Sequence, residues 1–447
     1  MYGFDSPHIS FLKFAGLLLL GGGIFSGCPS ATQSVSSDRY QTGKTLVYDD
    51  YIYEAAFRTP QLYQMGVEES FPVIYLGTTT PLVLEFDELI PESVYESNLY
   101  VDIVNCDAFW QPTSVMPIEF YEGFTQDRIE LFDRSAFTRI PYVHYTYAFP
   151  QENEYFKMSG NYLLIVYRNS DRKDLVLSRR FVVAEQKVSV IPKYNLANRL
   201  ERARMTEYSF DLAVPPGLGI YNPANDLTIR VLQNFRWDNA ITLGSPRFSG
   251  DNKYEYRLDI ANSFNGGNEY RRLDIRSTRF YSESMQEVVD KENIYDIILF
   301  PDRPRDFNIF STRRDRNGSY KPWVQEWPNA KIQADYVSTH FILERDAPVP
   351  SGEVYVMGRF ADWQFRDENR LSYNNETQRY EGDIILKQGI YDYAYAVRRT
   401  EDAVPDEATL EGRHLETENF YTIIVYYRGP SDRSPKVIGY APVNYYE

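Results

Sequence analysis

Short runs in which apolar and polar positions alternate recur along most of the chain. They are rich in β-branched and aromatic residues and are bounded by turn residues. In the first part of the chain these runs occupy residues 71–76, 82–86, 99–104, 142–149, 160–167 and 176–183. Runs of this length and spacing are typical of strands in a β-sandwich. The pattern therefore predicts an all-β fold that begins near residue 46.

The same pattern continues to the C-terminus and predicts tandem immunoglobulin-like sandwiches. Runs at residues 228–232 and 254–260 are separated by turn sequences rich in Gly, Pro and Asn. A new patterned segment follows the Ala-Pro-Val-Pro sequence at 347–350. We predict an N-terminal sandwich over residues 46–186, a middle sandwich over 187–334 and a C-terminal domain over 335–447.

The composition supports an all-β fold and argues against nucleic-acid-binding and zinc-binding proteins. The 447 residues include 38 Tyr and 27 Phe, and aromatic residues make up 16% of the chain, which favours strands. The formal net charge of −16 would repel a phosphate backbone, so a nucleic-acid partner is not expected. The four histidines form no zinc motif, and we predict neither a metal nor a cofactor.

The N-terminus has the pattern of an export signal. Residues 14–25 form an apolar stretch that is shorter than a membrane span and suits the core of a signal peptide. The Phe-Ser-Gly-Cys sequence at 25–28 resembles a bacterial lipobox, in which the cysteine is acylated after cleavage. We predict a signal peptide over residues 1–27, cleavage after Gly27, lipidation at Cys28 and a flexible tether over 28–45. Ordinary signal cleavage without a lipid is the alternative.

No arrangement of residues predicts catalysis. The chain contains no Gly-x-Ser-x-Gly elbow and no complete phosphate-binding glycine loop. Cys106 and His144 could in principle form a thiol–base pair, but a buried structural cysteine is the favoured interpretation. The Asp-Arg-Asn-Gly sequence at 315–318 begins like a calcium loop but lacks the later ligands, which favours a hairpin turn. We therefore predict a protein that is not an enzyme.

The segment at residues 354–363, VYVMGRFADW, resembles the opening of early-set immunoglobulin-like modules, which include glycogen-binding modules. Trp363 is the candidate residue for stacking on a sugar ring, and its alternative role is core packing. A glycan-binding use would require an exposed aromatic platform around Trp363.

Several ordered motifs resemble the plug proteins of the type IX secretion system. In the first half the similar segments are residues 70–76 with 84–89, 104–110, 119–124, 141–145, 159–164 and 178–181. Near the C-terminus, LKQGIYDY at 386–393 and EGRHLETENFYTIIVYYR at 411–428 resemble further family motifs. The resemblance covers nearly the whole chain after residue 46 and is weakest in the middle.

The resemblance implies a non-enzymatic role with no catalytic residue to carry over. Members of the family bind the periplasmic mouth of the giant outer-membrane β-barrel translocon and close it when no substrate passes. It also implies a location at the periplasmic face of the outer membrane, where a lipid at Cys28, if the lipobox-like sequence is used, would serve as an anchor. The alternative function is a glycan-binding lipoprotein that uses its C-terminal module.

Overall fold

The chain folds as an all-β protein, as the sequence pattern predicts. The computed structural model describes residues 44–444 except 125, 194–204, 207–208, 251, 259–262, 306–309, 400–403 and 415. The predicted signal peptide and almost all of the tether, including Gly27 and Cys28, lie outside the described residues. The described helices have four residues each: α1 (Pro117–Phe120), α2 (Pro223–Asp226), α3 (Ala330–Gln333) and α4 (Ala408–Glu411).

The N-terminal sandwich contains twelve strands in the first part of the chain. They are β1 (Tyr51–Ile52), β2 (Phe57–Gln64), β3 (Val73–Tyr75), β4 (Leu82–Leu89), β5 (Leu99–Cys106), β6 (Tyr121–Glu122), β7 (Asp127–Arg128), β8 (Leu131–Arg134), β9 (Tyr142–Phe149), β10 (Tyr155–Phe156), β11 (Gly160–Arg168) and β12 (Leu175–Ala184). One sheet has the order β1-β12-β11-β5-β7, with β3 parallel to β12, and the other has the order β2-β4-β9-β8. Strand β6 pairs with β10. All six predicted runs are confirmed as strands.

Alternation along these strands directs large side chains from both sheets into one core. Phe86 and Tyr145 from the second sheet stack with ring centroids 5.1 Å apart. Tyr162 and Phe181 from the first sheet belong to the same buried cluster. The aromatic excess in the composition is thus used mainly for packing.

The middle sandwich begins with β13 (Ser189–Lys193), β14 (Met205–Thr206), β15 (Ser209–Ala213), β16 (Leu227–Gln233), β17 (Ile241–Leu243), β18 (Phe248–Gly250), β19 (Lys253–Arg257) and β20 (Phe264–Asn265). One sheet has the order β13-β15-β19-β18, and β14 pairs with β20. The opposite sheet starts with β17-β16 and is completed by strands from the end of the chain.

The third domain contains β21 (Arg271–Asp274), β22 (Met285–Lys291), β23 (Ile294–Leu299), β24 (Tyr320–Pro322), β25 (Tyr336–Glu344), β26 (Gly352–Met357), β27 (Arg370–Asn374), β28 (Arg379–Lys387) and β29 (Gly389–Arg399). Two short 3-10 turns, Arg359–Ala361 and Asp367–Asn369, lie between β26 and β27. The nine strands form one sheet with the order β21-β29-β26-β27-β28-β25-β23-β22, and β24 pairs with β29. Leu273 and Met285, from its two ends, share one core, so the sheet curves over itself.

The last two strands, β30 (Phe420–Tyr427) and β31 (Lys436–Asn444), return to the middle sandwich. Strand β30 lies antiparallel to β16 and gives the sheet order β17-β16-β30-β31. The third domain is therefore inserted into the middle sandwich.

This pairing differs from the sequential division at residue 334. Strands β21 and β23, which precede that residue, pair with β29 and β25, which follow it. The alternating pattern identifies strands and their buried faces, but it carries little information on distant partners. Because β30 and β31 follow the third domain directly in sequence, the local alternating pattern predicts that they belong to the third domain.

Candidate functional site

The structure turns Trp363 inward. Its side chain is 8% exposed, and the guanidinium carbon of Arg236 lies 4.0 Å from the centroid of the indole ring. The ring of Tyr270 packs beside it at 5.6 Å. Asp362 and Trp363 both have positive φ angles, 52° and 57°, which direct the chain and its indole inward after the 3-10 turn. Trp363 therefore does not form the exposed platform that the glycan-binding alternative requires.

Cys106 and His144 occupy different environments. The Cys106 thiol is buried within the N-terminal sandwich and lies 3.9 Å from the carbonyl oxygen of Val104. Burial raises the pKa of this thiol to about 12, so it stays protonated at neutral pH. His144 instead places Nδ1 2.7 Å from Oδ1 of Asp87. Cys106 therefore packs in the sandwich core and His144 contacts Asp87, and the two residues do not form a thiol–base pair.

Asp87 is the centre of a buried ionic cluster between the N-terminal sandwich and the third domain. Lys387 Nζ and the Tyr336 hydroxyl each donate to Asp87 Oδ2 at 2.6 Å. Both Asp87 and Lys387 are at most 2% exposed. Burial opposes charge on Asp87, but Lys387 and His144 outweigh burial and hold the pKa of this carboxyl below its ordinary value.

Glu85 extends the cluster by pairing with Lys331. Tyr63 donates its hydroxyl to Glu85 at 2.9 Å. Although burial again opposes the charge, His144 and Lys331 lower the pKa of Glu85 to about 2. The two carboxylates therefore remain ionised and attach the third domain to the N-terminal sandwich.

A cavity of about 580 Å³ lies where the three β domains meet. Arg179 from β12 and the aromatic ring of Phe71 come from the N-terminal sandwich, and Phe235 comes from the middle sandwich. Tyr320 and Phe365 come from the third domain. We call this space the junction cavity.

Charged side chains of both signs line the junction cavity. Arg180 donates through Nε to Asp50 at 2.9 Å and pairs with Asp49 at 2.6 Å. Burial, partly offset by Arg180, raises the pKa of Asp49 to about 6. Arg179 Nη1 lies 3.3 Å from Asp362 Oδ2, while Arg359 donates to the carbonyl oxygen of Glu69 at 2.9 Å.

Two loops with uncommon backbone geometry shape the walls of the junction cavity. Asn234 and Phe235 have φ angles of 54° and 62°, and Asp362 and Trp363 on the facing loop are also positive. Such angles are rare for bulky residues and persist where the surrounding packing enforces them. The walls are therefore fixed by the packed domains.

Sequence reasoning missed the junction cavity, although part of it lies in a recognised segment. Residues 178–181, SRRF, belong to a family motif, and two adjacent arginines in a strand are a visible signal. Alternation places Arg179 and Arg180 on opposite faces of β12, and only the packing of three domains brings both to one space. The pairing across domains leaves no trace in a single sequence.

Two other features of the described residues bear on function. No group of three or more His, Cys, Asp or Glu side chains in the described ranges is arranged to hold a metal ion. Among the same residues, no helix is long and apolar enough to cross a membrane.

A match to a protein-family model identifies the relatives of the N-terminal sandwich. Residues 57–185 match the model of the type 9 secretion system plug protein 1st domain, and this range coincides with the N-terminal sandwich. The domain at residues 57–185 belongs to the plug protein family of the type IX secretion system. The resemblance of the motifs in the first half of the chain is thereby confirmed, and this domain associates the chain with the type IX secretion machinery of the cell envelope.

A solved structure shares the fold of this chain over most of its length. A hypothetical protein from Parabacteroides merdae ATCC 43184 is 29% identical, with a TM-score of 0.84, and the match covers 89% of this chain and 100% of that one. Dimeric latent PorU from Porphyromonas gingivalis is 10% identical with a TM-score of 0.14, over 87% of this chain and 34% of that one. At that TM-score the likeness carries no structural argument. No curated protein matches the chain.

Proposed function

We propose that this chain is a non-enzymatic plug of the type IX secretion translocon, which binds the periplasmic mouth of the giant outer-membrane β-barrel and closes it when no substrate passes. The observation that carries the proposal is the family match over residues 57–185. Closure of a wide channel requires a large preformed body, since ordering a flexible one on binding would weaken the complex. Three β domains joined by buried contacts suit that requirement.

The N-terminal sandwich has a surface suited to binding a partner. About half of the exposed large hydrophobic side chains in the described residues lie within the matched domain. Four of them come from adjacent segments, because α1 leads into β6 and β6 pairs with β10. We call the surface formed by Met116, Ile118, Phe124 and Tyr155 the α1 surface.

Exposure of the α1 surface is high enough to favour a binding role. Ile118 is 76% exposed and Phe124 is 80% exposed. The backbone N–H of Phe124 donates to Glu154 Oε1 at 3.0 Å, which positions the loop beside β10. Exposed apolar patches of this kind commonly mark protein contacts. We propose that the α1 surface contacts the barrel.

A pulldown from native outer membranes tests the proposal. The tagged protein is extracted in mild detergent, and copurifying proteins are identified by mass spectrometry. We expect a very large β-barrel in near-equal amount, and about tenfold less of it with the Ile118→Asp/Phe124→Asp variant. The matched control is Tyr221→Asp/Phe248→Asp, which changes two exposed aromatic residues of the middle sandwich.

Failure to recover any barrel with the unaltered protein would overturn the plug proposal. Equal recovery with the α1 variant and the control would retain the plug and reject the α1 surface. Ion-conductance measurements on membranes from a deletion strain then test closure directly, because an unplugged translocon should leak.

We propose that a lipid at Cys28 holds the plug at the periplasmic face of the outer membrane. Anchoring raises the local concentration of the plug near its partner, although one acylated residue supplies only part of stable membrane attachment. Mass spectrometry of the N-terminal peptide should show an acylated cysteine in the native protein. Cys28→Ser should abolish this modification, and an unmodified native cysteine would contradict the anchor.

A further inference from the structure

One end of the N-terminal sandwich carries the first described residues of the chain. Strands β4 and β11 end there, and β5, β9 and β12 begin there. Lys44 Nζ donates to Asp174 Oδ1 at 3.1 Å and to the carbonyl oxygen of Leu175 at 2.7 Å. Asp174 also pairs with Arg168, the last residue of β11, at 3.0 Å. The predicted tether, residues 28–43, therefore joins the described structure at this end, which we call the tether end.

Two loops lie side by side at the tether end. The loop between β4 and β5 contacts Arg168, whose Nε donates to Ser97 Oγ at 3.3 Å. Arg134, at the end of β8, donates through Nη2 to the carbonyl oxygen of Val94 and to Glu96 Oε2, each at 2.9 Å. Because the loop between β8 and β9 follows Arg134 directly, these contacts place the two loops next to each other.

Each of these loops exposes one large aromatic side chain. Tyr95 is 87% exposed, and Phe137 is 74% exposed. The ring of Trp327, from the third domain, stacks on that of Phe137 with centroids 4.8 Å apart and is also exposed. We call Tyr95, Phe137 and Trp327 the end aromatics. Aromatic rings, above all those of Tyr and Trp with their polar group, are enriched where proteins meet the boundary between lipid and water.

The backbone of the β8–β9 loop holds Phe137 outward. Phe137 has a φ angle of 65°, which is rare for a bulky residue and persists where neighbouring contacts enforce it. Those contacts come from the third domain, because the N–H groups of Arg139 and Ile140 donate to the carboxylate of Asp335 at 2.8 and 3.2 Å. The exposure of Phe137 is therefore a fixed feature of the folded chain.

Charge restricts the class of lipid that the end aromatics suit. Arg134 pairs with Glu96, and Arg139 donates to Asp290 Oδ2 at 2.9 Å, so both cations already have an acidic partner. The chain as a whole has a formal net charge of −16, and an anionic surface would repel it. Contact between aromatic rings and zwitterionic phospholipid does not meet this repulsion.

The length of the tether favours this end of the sandwich over the other. A flexible chain of about 16 residues has an average end-to-end distance of roughly 22 Å. The nine residues of β11 give the sandwich a length of roughly 30 Å. The α1 surface lies at the opposite end, since α1 follows the end of β5 and β10 precedes β11. A lipid at Cys28 would therefore hold the end aromatics nearer to the membrane than the α1 surface.

We propose that the tether end binds a zwitterionic phospholipid surface, with the rings of Tyr95, Phe137 and Trp327 at the boundary between headgroups and acyl chains. The orientation rests on the anchor proposed at Cys28, whereas the affinity of the rings for lipid does not. The α1 surface, at the opposite end of the sandwich, is left for the barrel.

Quenching of tryptophan fluorescence by brominated lipid tests the proposal. The chain from residue 28 is coupled through the Cys28 thiol to phosphatidylcholine vesicles that carry a maleimide lipid, and the buried Cys106 does not compete. This coupling reproduces the anchor whether or not the native cysteine is acylated. We expect lower fluorescence on vesicles with brominated acyl chains than on plain ones, because bromine quenches indole rings that reach it. Trp327→Phe should remove most of this difference.

Further variants assign the contact to the end aromatics. Tyr95→Ser/Phe137→Ser should lose most of the quenching, because it removes the apolar area that holds this end at the lipid. The matched control is Tyr221→Ser/Phe248→Ser, which changes two exposed aromatic residues of the middle sandwich and should retain the quenching. Trp323→Phe removes another exposed tryptophan and should retain it as well.

Equal fluorescence on brominated and plain vesicles would overturn the proposal, even where mass spectrometry shows an acylated Cys28 in the native protein. Failure of this surface is thereby distinguished from failure of the anchor. Quenching that persists in a folded Tyr95→Ser/Phe137→Ser protein would place the lipid contact elsewhere and overturn the role of the end aromatics. Quenching that appears only after anionic phosphatidylglycerol is added to the vesicles would overturn the assigned lipid class.

Discussion

At the scale of single residues, the pair of Asp87 and Lys387 shows how charge is used in the interior. Both side chains are buried, and their 2.6 Å contact joins two domains. Lys387→Met should destabilise the protein by about 3–5 kcal/mol, because it leaves the Asp87 carboxylate without its main cation. Denaturant unfolding measures this change in the free energy of unfolding.

A surface pair provides the control for this prediction. Lys157 and Glu122 form a contact of 3.0 Å on the exposed face of the N-terminal sandwich. Lys157→Met should change the free energy of unfolding by less than about 1 kcal/mol. Similar losses in the two variants would show that burial does not strengthen the Asp87 pair.

Asp392 should make stability fall as the pH rises. Burial and the nearby Asp315 raise the pKa of Asp392 to about 7, above its ordinary value. The folded protein therefore keeps a proton that the unfolded chain releases, and stability is lost as the pH rises from about 4 towards 7. Asp392→Asn should flatten this fall by roughly 1 kcal/mol per pH unit between pH 4.5 and 6.5.

Denaturant unfolding at a series of pH values measures the slope. Glu130→Gln removes an exposed carboxyl and should leave the slope unchanged. An equal slope in Asp392→Asn and the unaltered protein would mean that Asp392 is ionised throughout this range.

At the scale of elements, strand β30 belongs to the middle sandwich although it follows the third domain in sequence. Ile423 of β30 is 1% exposed and packs in the same core as Phe210 and Tyr256. Ile423→Ala should cost about 2–5 kcal/mol and should reduce hydrogen-exchange protection first in residues 209–257. Mass spectrometry of exchanged peptides resolves this region.

Ile384→Ala is the matched change in the third domain, where Ile384 is 4% exposed. It should reduce protection across β25 to β29 and spare residues 209–257. Loss of protection in residues 336–399 on changing Ile423 would instead favour the sequential division at residue 334.

The sequence predicts individual elements better than their partners. The runs that become β9, β11 and β12 are visible because alternation and turn residues are local properties. The pairing of β16 with β30 depends on contacts between residues about 190 positions apart, which one sequence does not encode locally. Arg179 can be recognised in the sequence because it lies in a short local motif. The cavity that it lines is assembled from three domains and cannot be recognised in this way.

At the scale of the whole molecule, the two junctions of the N-terminal sandwich differ in chemistry. Its contact with the middle sandwich is a shared apolar cluster in which Phe71 stacks on Tyr440, with centroids 5.6 Å apart. Its contact with the third domain includes the Asp87 cluster and the Arg179–Asp362 pair. Acid should therefore weaken the second junction more than the first.

We expect one calorimetric unfolding transition at pH 7 and two transitions near pH 2–3. The pKa of Glu85 is lowered to about 2, and that of Asp87 is also lowered. Carboxylates with lowered pKa values stabilise the folded state above their ordinary pKa, and this contribution is lost as the pH falls through the folded value. The third domain should therefore separate from the N-terminal sandwich in acid.

Hydrogen exchange at the low pH identifies the domain that opens first. Residues 336–399 should lose protection before β11 and β12, because the junction with the middle sandwich is held by a buried apolar cluster, and its ion pair between Arg433 and Glu119 is exposed. Lys387→Met should raise the pH at which two transitions appear, since Asp87 then lacks the cation that lowers its pKa. A single transition at every pH in both proteins would show that the apolar contacts alone couple the three domains.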